Sequence, residues 1–135
     1  MFPIDHIGIA VKDLEAEIKA YEKNFACKLD LQEEIPSQKV KLAFLKSENT
    51  LIELLTPTSE DSTLAKFIKT KGPGLHHICF RVPDICTELA RLKSLGHKLI
   101  DEIPRTGAHN SLIAFIHPKS TSGTLIELCQ RSPSL

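Results

Sequence analysis

One five-residue string occurs twice in this chain and constrains its fold more than any other feature. Thr-Leu-Ile-Glu-Leu stands at Thr50–Leu54 and again at Thr124–Leu128, and a His-Ile pair precedes each copy, at His6 and at His77. The chain therefore contains two copies of one module. Each copy contributes one His and one Glu at matching places.

A third matched piece lies between each His and its Glu. It reads Ala43-Phe44-Leu45 in the first copy and Ala114-Phe115-Ile116 in the second. The two His, like the two Phe, are 71 residues apart, whereas the two Glu are 74 residues apart. The second copy has therefore gained three residues in the loop before its last strand.

Each module is predicted to form one strand, one helix and three further strands. In the first module, about residues 4–57, side chains alternate in character from Ile4 to Val11, which is typical of a strand. Asp13 is then a predicted N-cap for a helix with an apolar stripe. The remaining predicted strands of this module are 28–34, 40–45 and 50–55.

The second module, about residues 75–130, repeats this order. A strand at 75–82 leads to a helix that Asp84 caps and Gly96 ends. The further predicted strands lie near 99–104, 112–116 and 124–129. A linker of about residues 58–74, with a small amphipathic helix of its own, joins the modules, and residues 131–135 are expected to form a loose tail.

Composition bounds the class of protein. The 135 residues are 41% apolar and 25% charged, which favours one folded domain over residues 1–135 and argues against disorder. A net charge of zero, without any block of like charges, makes nucleic acid or an anionic membrane an unexpected partner. The sequence has neither a membrane-spanning apolar run nor a signal-peptide pattern, so we expect a cytoplasmic protein with reduced cysteines.

Strand alternation places the two glutamates away from the apolar core. Side chains on a strand alternate between two faces, so Glu53 points away from Ile52 and Leu54. Glu127 has the same relation to its own neighbours in the second copy. A carboxylate on an apolar strand is costly to bury unless a metal ion, an ion pair or an open cleft compensates for it.

The two modules together offer four metal donors, from His6, Glu53, His77 and Glu127. If the His and Glu strands of each module are adjacent, the four groups can surround one divalent ion across a pseudo-twofold axis. Two imidazoles and two carboxylates suit Mn, Co, Ni, Zn or Fe(II). Four protein ligands leave two octahedral positions for a substrate that binds through two oxygens, and the ion would act on it as a Lewis acid.

The same alignment separates two neighbouring histidines. His77 aligns with His6, whereas His76 aligns with Asp5, so His76 should face away from the metal. His109 and His117 lie in the longer loops of the second module. Loops carry function more often than strands do, so these two residues are candidates for substrate contact.

The modules resemble the vicinal oxygen chelate superfamily, which includes glyoxalase I, fosfomycin-resistance proteins and extradiol dioxygenases. Within it, the chain is most similar to the methylmalonyl-CoA epimerase family, from about residue 4 to residue 130. The Gly-Ala-His and His-Pro-Lys-Ser loops favour the epimerases over other members. The stretches that carry the resemblance are Asp5–Val11, Ile52–Pro57, Gly74–Ile78, Gly107–His109, His117–Ser120 and Leu125–Leu128.

This resemblance implies an α+β fold. Two paired βαβββ modules would form an open, cup-shaped mixed sheet around a central metal cleft. It also implies a homodimer that binds one divalent metal ion per chain, Co, Mn, Zn or Ni. The expected ligands are the two His and two Glu named above.

The implied reaction is the interconversion of (2R)- and (2S)-methylmalonyl-CoA, by proton transfer at C2 through a metal-stabilised enolate. Inversion needs a proton acceptor on one face of C2 and a donor on the other, and Glu127 and Glu53 could serve by loosening from the metal. The residues expected to bind the acyl-CoA are Gly107, Ala108, His109, His117 and Lys119.

The chain departs from the family at one strand. Some epimerases carry a further carboxylate there, proposed as one of the two bases, but Val40–Leu45 contains no acid. Either Glu53 takes that role, or a water molecule or a loop residue does. We favour Glu127 as one base and leave its partner open.

Two other functions compete with the epimerase. A lactoylglutathione lyase (glyoxalase I) would use the same four ligand types to isomerise a glutathione hemithioacetal. A metal-free drug-binding protein of the bleomycin-resistance type would use the cleft alone, and it would not need two matched carboxylates there.

Overall fold

The computed structural model describes residues 1–132, so the end of the predicted tail and of the predicted domain, residues 133–135, lies outside the described residues. Contacts divide the chain into two compact units, residues 6–76 and residues 1–5 together with residues 77 onward. No helix within residues 1–132 is long and apolar enough to cross a membrane. The helices are α1 (Leu14–Phe25), α2 (Thr63–Lys71) and α3 (Ile85–Ser94). The strands are β1 (Ile4–Ala10), β2 (Lys28–Ile35), β3 (Val40–Lys46), β4 (Leu51–Pro57), β5 (Gly74–Arg81), β6 (Arg105–Thr106), β7 (Leu112–Ile116) and β8 (Ile126–Gln130).

The first module has the strand order β2-β3-β4-β1. Strands β1 and β4 are parallel, and the other neighbours are antiparallel. Helix α1 connects β1 to β2 and begins as predicted, because the carboxylate of Asp13 accepts the backbone N–H of Ala16 at 3.1 Å. It ends at Ala26, whose left-handed backbone (φ 55°) terminates the helical hydrogen bonds.

The apolar core of this module lies between α1 and one face of the strands. Leu14 and Ile18 of the helix contribute to it, and Ile52 and Leu54 point towards it from β4, as alternation predicts. The opposite face of β4 is therefore the one that carries Glu53. The buried members of this core are Val11, Leu14, Ile18, Cys27, Ala43, Leu45 and Leu54.

The second module repeats the arrangement with the order β5-β8-β7-β6. Strands β5 and β8 are parallel, and β8, β7 and β6 are antiparallel neighbours. The carboxylate of Asp84 accepts the N–H of Thr87 at 3.1 Å and starts α3. The core between α3 and the strands consists of Val82, Ile85, Leu89, Ala114, Ile116 and Leu128.

The predicted strand at residues 99–104 is wrong. Only an isolated bridge between Leu99 and Ile116 forms there, and the paired strand, β6, is the two residues Arg105–Thr106. The backbone N–H of Phe115 donates to the side chain of Asp101 at 2.9 Å. A side chain thus takes the donor that a continuous ladder would use, so regular pairing is interrupted at this point.

Candidate functional site

The first module places His6 beside Glu53. Gly8 of β1 lies directly opposite Glu53 of β4, and His6, two residues earlier, shares the face of Gly8. His6 Nε2 lies 3.5 Å from Glu53 Oε1, and both side chains are buried. This face is opposite the one that packs on α1.

The second module places His77 beside Glu127 in the same way. Cys79 of β5 lies opposite Glu127 of β8, so His77 is again two residues before the register partner of the glutamate. His77 Nε2 lies 3.2 Å from Glu127 Oε1, and both side chains are buried. The two copies of the repeat have therefore folded into two matching His–Glu pairs.

Each pair has the spacing of two ligands of one metal ion. Two donors about 2.1 Å from an ion are about 3.0 Å apart at a right angle and about 3.4 Å apart at the tetrahedral angle. The observed distances of 3.5 Å and 3.2 Å agree with this range. They exceed the roughly 2.7–2.9 Å of a charge-assisted hydrogen bond between nitrogen and a carboxylate. The donor chemistry and the spacing thus fit a divalent cation better than a simple ion pair.

A phenylalanine packs against each histidine. Phe44 lies opposite Glu53, and its ring centroid is 5.2 Å from that of His6 at 77°. Phe115 lies opposite Glu127, 5.7 Å from His77 at 88°. Edge-to-face packing of this kind holds an imidazole in one orientation. The sequence repeat matched these two phenylalanines but gave no indication of this role.

His76 faces another part of its own unit. Its ring lies 4.7 Å from that of Phe67 of α2, in an edge-to-face arrangement. This contact agrees with the prediction that His76 and His77 point to opposite faces of the strand.

The face of β3 that carries Phe44 is apolar. Val40 and Leu42 share it, and both are buried. Glu33 of β2 lies directly opposite Leu42 and shares the same face, where it is half-buried. The strand without an acid therefore has a carboxylate one strand away, a feature that only the strand register reveals.

The loop of residues 107–111 is closely packed. Gly107 donates its N–H to the Ser111 carbonyl at 2.8 Å, and a Cβ at Gly107 would lie only 2.7 Å from Ile113 Cγ2. Ala108 is buried, and His109 is exposed with a left-handed backbone (φ 57°). Of the predicted substrate-binding residues in this loop, His109 is the one whose side chain is accessible.

The loop that follows β7 holds the other two predicted substrate-binding residues. His117 is half-buried, and its Nδ1 accepts the N–H of Lys119 at 3.1 Å, which fixes the turn at Pro118. The Lys119 side chain is exposed. The imidazole of His117 therefore shapes the loop, while the ammonium group of Lys119 is accessible to an anion.

Two buried cysteines share the ligand face of the second module. Cys79 is two residues after His77 on β5, and Cys129 is two residues after Glu127 on β8. Each cysteine therefore points to the same side of its strand as that residue. Burial raises the pKa of the Cys79 thiol well above its ordinary value, and hydrogen bonding with Cys129 and the charge of Glu127 act in the same direction. Cys79 is thus a neutral, unreactive thiol. All four cysteines are free, as expected.

The predicted loose tail is wrong at Arg131. Its Nε and Nη2 donate to Oδ1 and Oδ2 of Asp5 at 3.0 Å and 2.6 Å. Burial lowers the pKa of Arg131, but its hydrogen bonds with Asp5 and the charge of that carboxylate outweigh burial, so the pKa is raised. Asp5 directly precedes His6, and the sequence offered no local signal for a pair 126 residues apart.

Comparison with known proteins gives a consistent result. Ethylmalonyl-CoA/methylmalonyl-CoA epimerase of Cereibacter sphaeroides is 38% identical over 94% of this chain and 96% of its own length. Methylmalonyl-CoA epimerase from Mycobacterium tuberculosis superposes with a TM-score of 0.93 at 38% identity, over 97% of this chain and 89% of that one. A methylmalonyl-CoA epimerase in complex with methylmalonyl-CoA and NH4+ gives a TM-score of 0.94 at 34% identity, over 98% and 96%.

These likenesses confirm the predicted α+β fold of the vicinal oxygen chelate class. A family model also matches residues 5–115, which include all of the first module except its first residue, and the strand and helix that open the second. The chain belongs to the Glyoxalase/Bleomycin resistance protein/Dioxygenase superfamily.

Proposed function

We propose that this chain is a metal-dependent epimerase that interconverts (2R)- and (2S)-methylmalonyl-CoA by moving the proton at C2. The observation that carries the proposal is the duplicated, buried His–Glu pair, in a chain whose full-length relatives include methylmalonyl-CoA epimerases. The thioester and the carboxylate both acidify the C2 proton. The reaction therefore needs oxygen-charge stabilisation and two proton carriers.

The proposed ligands of the divalent ion are His6, Glu53, His77 and Glu127. Their spacing within each module and their mixture of imidazole and carboxylate support Co, Mn, Zn or Ni. When bound, the ion supplies Lewis-acid stabilisation of the developing negative charge on the substrate oxygens. The edge-to-face phenylalanines keep the imidazoles oriented for this role.

Glu127 is the proposed base on one face of C2. The other face needs a second carrier, and each module supplies one buried glutamate, so Glu53 is its proposed partner. Glu33 is the alternative, because its register places it opposite Leu42, on the strand that lacks an acid. In either case a carboxylate takes the proton from C2, and a carboxylic acid on the opposite face returns one.

The acyl-CoA is proposed to lie along two loops of the second module, the loop of residues 107–111 and the loop that follows β7. Gly107 and Ala108 would contribute backbone groups, since their side-chain space is filled. His109 and Lys119 are accessible, and Lys119 is a candidate for a CoA phosphate. His117 supports this loop through its bond to the Lys119 N–H.

We also propose a homodimer.

A lactoylglutathione lyase remains the competing assignment because it would use the same ligand types. The decisive experiment is proton–deuterium exchange at C2 of methylmalonyl-CoA in D2O, with metal-reconstituted and chelator-treated protein side by side. Metal-dependent exchange that accompanies epimerisation is expected. If a sample that binds one ion per chain gives no exchange, the epimerase is excluded, and isomerisation of a glutathione hemithioacetal becomes the next assay.

A further inference from the structure

A partly buried ion pair between Asp5 of β1 and Arg131, the residue after β8, is not used by the proposed chemistry. Both oxygens of Asp5 are held by Arg131, at 3.0 Å and 2.6 Å, and the Asp5 side chain is only 3% exposed. Arg81 lies nearby, with its Nε 3.9 Å from Asp5 Oδ1 and its backbone N–H 3.0 Å from the carbonyl of Pro3. The start of β1 is therefore held by Arg81 of β5 and by Arg131, the residue after β8.

Stability alone is a weak reason for such a pair. Removing two charges from water costs about as much as their attraction returns, so apolar residues often do as well at such a place. A planar arginine guanidinium forms two parallel hydrogen bonds with a carboxylate, and these set both the distance and the angle between the two groups. An apolar contact does not set them in this way. The pair is better explained as a geometric constraint.

The positions of the three residues show what is constrained. Asp5 is the residue directly before His6. Arg131, the residue after β8, is four positions beyond Glu127, and Arg81, the last residue of β5, is four positions beyond His77. The ion pair thus lies one or two side chains from three of the four proposed ligands.

The repeat-related positions hold no equivalent of this pair. The repeat places Ala10 and Pro57 where the second module has Arg81 and Arg131, and it places His76 where the first has Asp5. A feature that the shared fold required would be expected in both copies. The shared fold therefore does not require the pair.

We propose that Arg131 is a positioning residue, which fixes the backbone at His6 through its two hydrogen bonds to Asp5 and thereby sets the affinity of the metal site. This inference rests on the proposed function, because it presumes that His6 is a metal ligand. Arg131 contacts neither substrate nor metal in this role. Groups that orient metal ligands typically change affinity by about 10- to 100-fold when they are lost.

The test is Co2+ binding to metal-free protein, measured by calorimetry and by the visible Co2+ spectrum. Arg131→Ala is expected to weaken binding about 10-fold or more and to change the spectrum. Arg131→Lys keeps the charge but not the fork, so an intermediate loss is expected. The control is Arg91→Ala, which removes an exposed ion pair of α3 (Nε to Glu88 Oε1, 2.8 Å) and should bind Co2+ like the unaltered chain.

A double-mutant cycle with Asp5→Asn separates positioning from general destabilisation. Once either partner is changed, changing the other should weaken Co2+ binding little further, since both act through one contact. If Arg131→Ala does not fold, the nearly isosteric Asp5→Asn and the charge-conserving Arg131→Lys carry the test. Unchanged affinity and spectrum in these variants would overturn the inference alone. Failure of the unaltered chain to bind Co2+ would overturn the proposed function and the inference with it.

Discussion

The two modules are equal in the groups that are proposed to bind metal and unequal in what surrounds them. Each has a buried His–Glu pair with a phenylalanine opposite the glutamate. The other side chains on the faces that carry His and Glu differ between the copies. They are small or apolar in the first copy, and they are cysteine and arginine in the second. The corresponding positions are Gly8, Ala10, Leu55 and Pro57 in the first module and Cys79, Arg81, Cys129 and Arg131 in the second.

This contrast indicates which properties the duplicated fold supplies and which one copy has acquired. Strand register and a helix-covered core place the His and the Glu in both copies, so the proposed metal ligands belong to the repeat itself. The polar and ionic groups of the second copy are additions to that frame. Function should therefore respond unequally to matched substitutions in the two copies.

The largest effect is expected when the two glutamates are compared. Glu127→Gln should lower kcat by about 100-fold or more, because general acid–base catalysis contributes about 10²- to 10⁴-fold. The amide oxygen can still ligate in both variants, so Glu53→Gln should lose turnover only if Glu53 is the second proton carrier. Steady-state epimerisation with measured metal content tests both variants.

Glu33→Gln decides between the two candidate partners of Glu127. If Glu53→Gln loses most of its turnover while Glu33→Gln stays fully active, Glu53 is the second proton carrier. The reverse result assigns that role to Glu33. Glu48→Gln, in the turn between β3 and β4, is the exposed control. Full activity in Glu127→Gln would contradict the assignment of the base.

The neighbouring histidines should differ almost as much. His77→Ala removes a proposed ligand and should weaken metal binding by more than the about 10- to 100-fold cost of losing an outer partner. His76→Ala removes the ring contact with Phe67 and should bind metal normally. Metal content after dialysis measures both. Equal loss in the two variants would show that the proposed ligand assignment is wrong.

The sequence was sufficient to predict the parts of the molecule that repeat. Element order, helix caps at Asp13 and Asp84, and the facing of Glu53 and Glu127 all follow from local periodicity applied twice. Because the two copies show the same sequence pattern, each one supports the prediction made for the other. The solved relatives confirm the resulting fold.

The parts that could not be predicted depend on contacts between distant residues. Nothing near Arg131 indicates Asp5, and nothing within residues 99–104 indicates that Asp101 accepts the N–H of Phe115. Glu33 became visible only through its register with Leu42. Periodicity reports the face of a residue, whereas such pairings depend on how the whole chain folds.

A smaller difference is expected for the two phenylalanines. Phe44 is 3% exposed and Phe115 is half-buried, so Phe44→Leu should cost about 1–2 kcal/mol in the free energy of unfolding and Phe115→Leu less. Urea denaturation of metal-free protein measures both. Phe25→Leu, in an exposed edge-to-face pair with Tyr21, is the control. A larger cost for Phe115→Leu would reverse the expected order.

The smallest effect should come from an exposed ion pair within residues 6–76, which contrasts with the partly buried Asp5–Arg131 pair. Lys39 Nζ lies 2.7 Å from Asp61 Oδ2, and its hydrogen bond, with a further one from Ser59, lowers the pKa of Asp61 from 3.8 to about 2. An aspartate whose pKa is lower in the folded state than in the unfolded state stabilises the fold at pH values above the unfolded-state pKa. This stabilisation is lost as the pH falls through the folded-state pKa.

Asp61→Asn should therefore lower the urea midpoint slightly at neutral pH, and the difference from the unaltered chain should vanish between about pH 4 and about pH 2. Because the pair is exposed, salt should shrink the difference as well. Arg131→Ala should instead keep its effect on Co2+ affinity at high salt, since a buried pair is poorly screened. A difference for Asp61→Asn that persisted below pH 2 would mean that the residue acts through its shape rather than its charge.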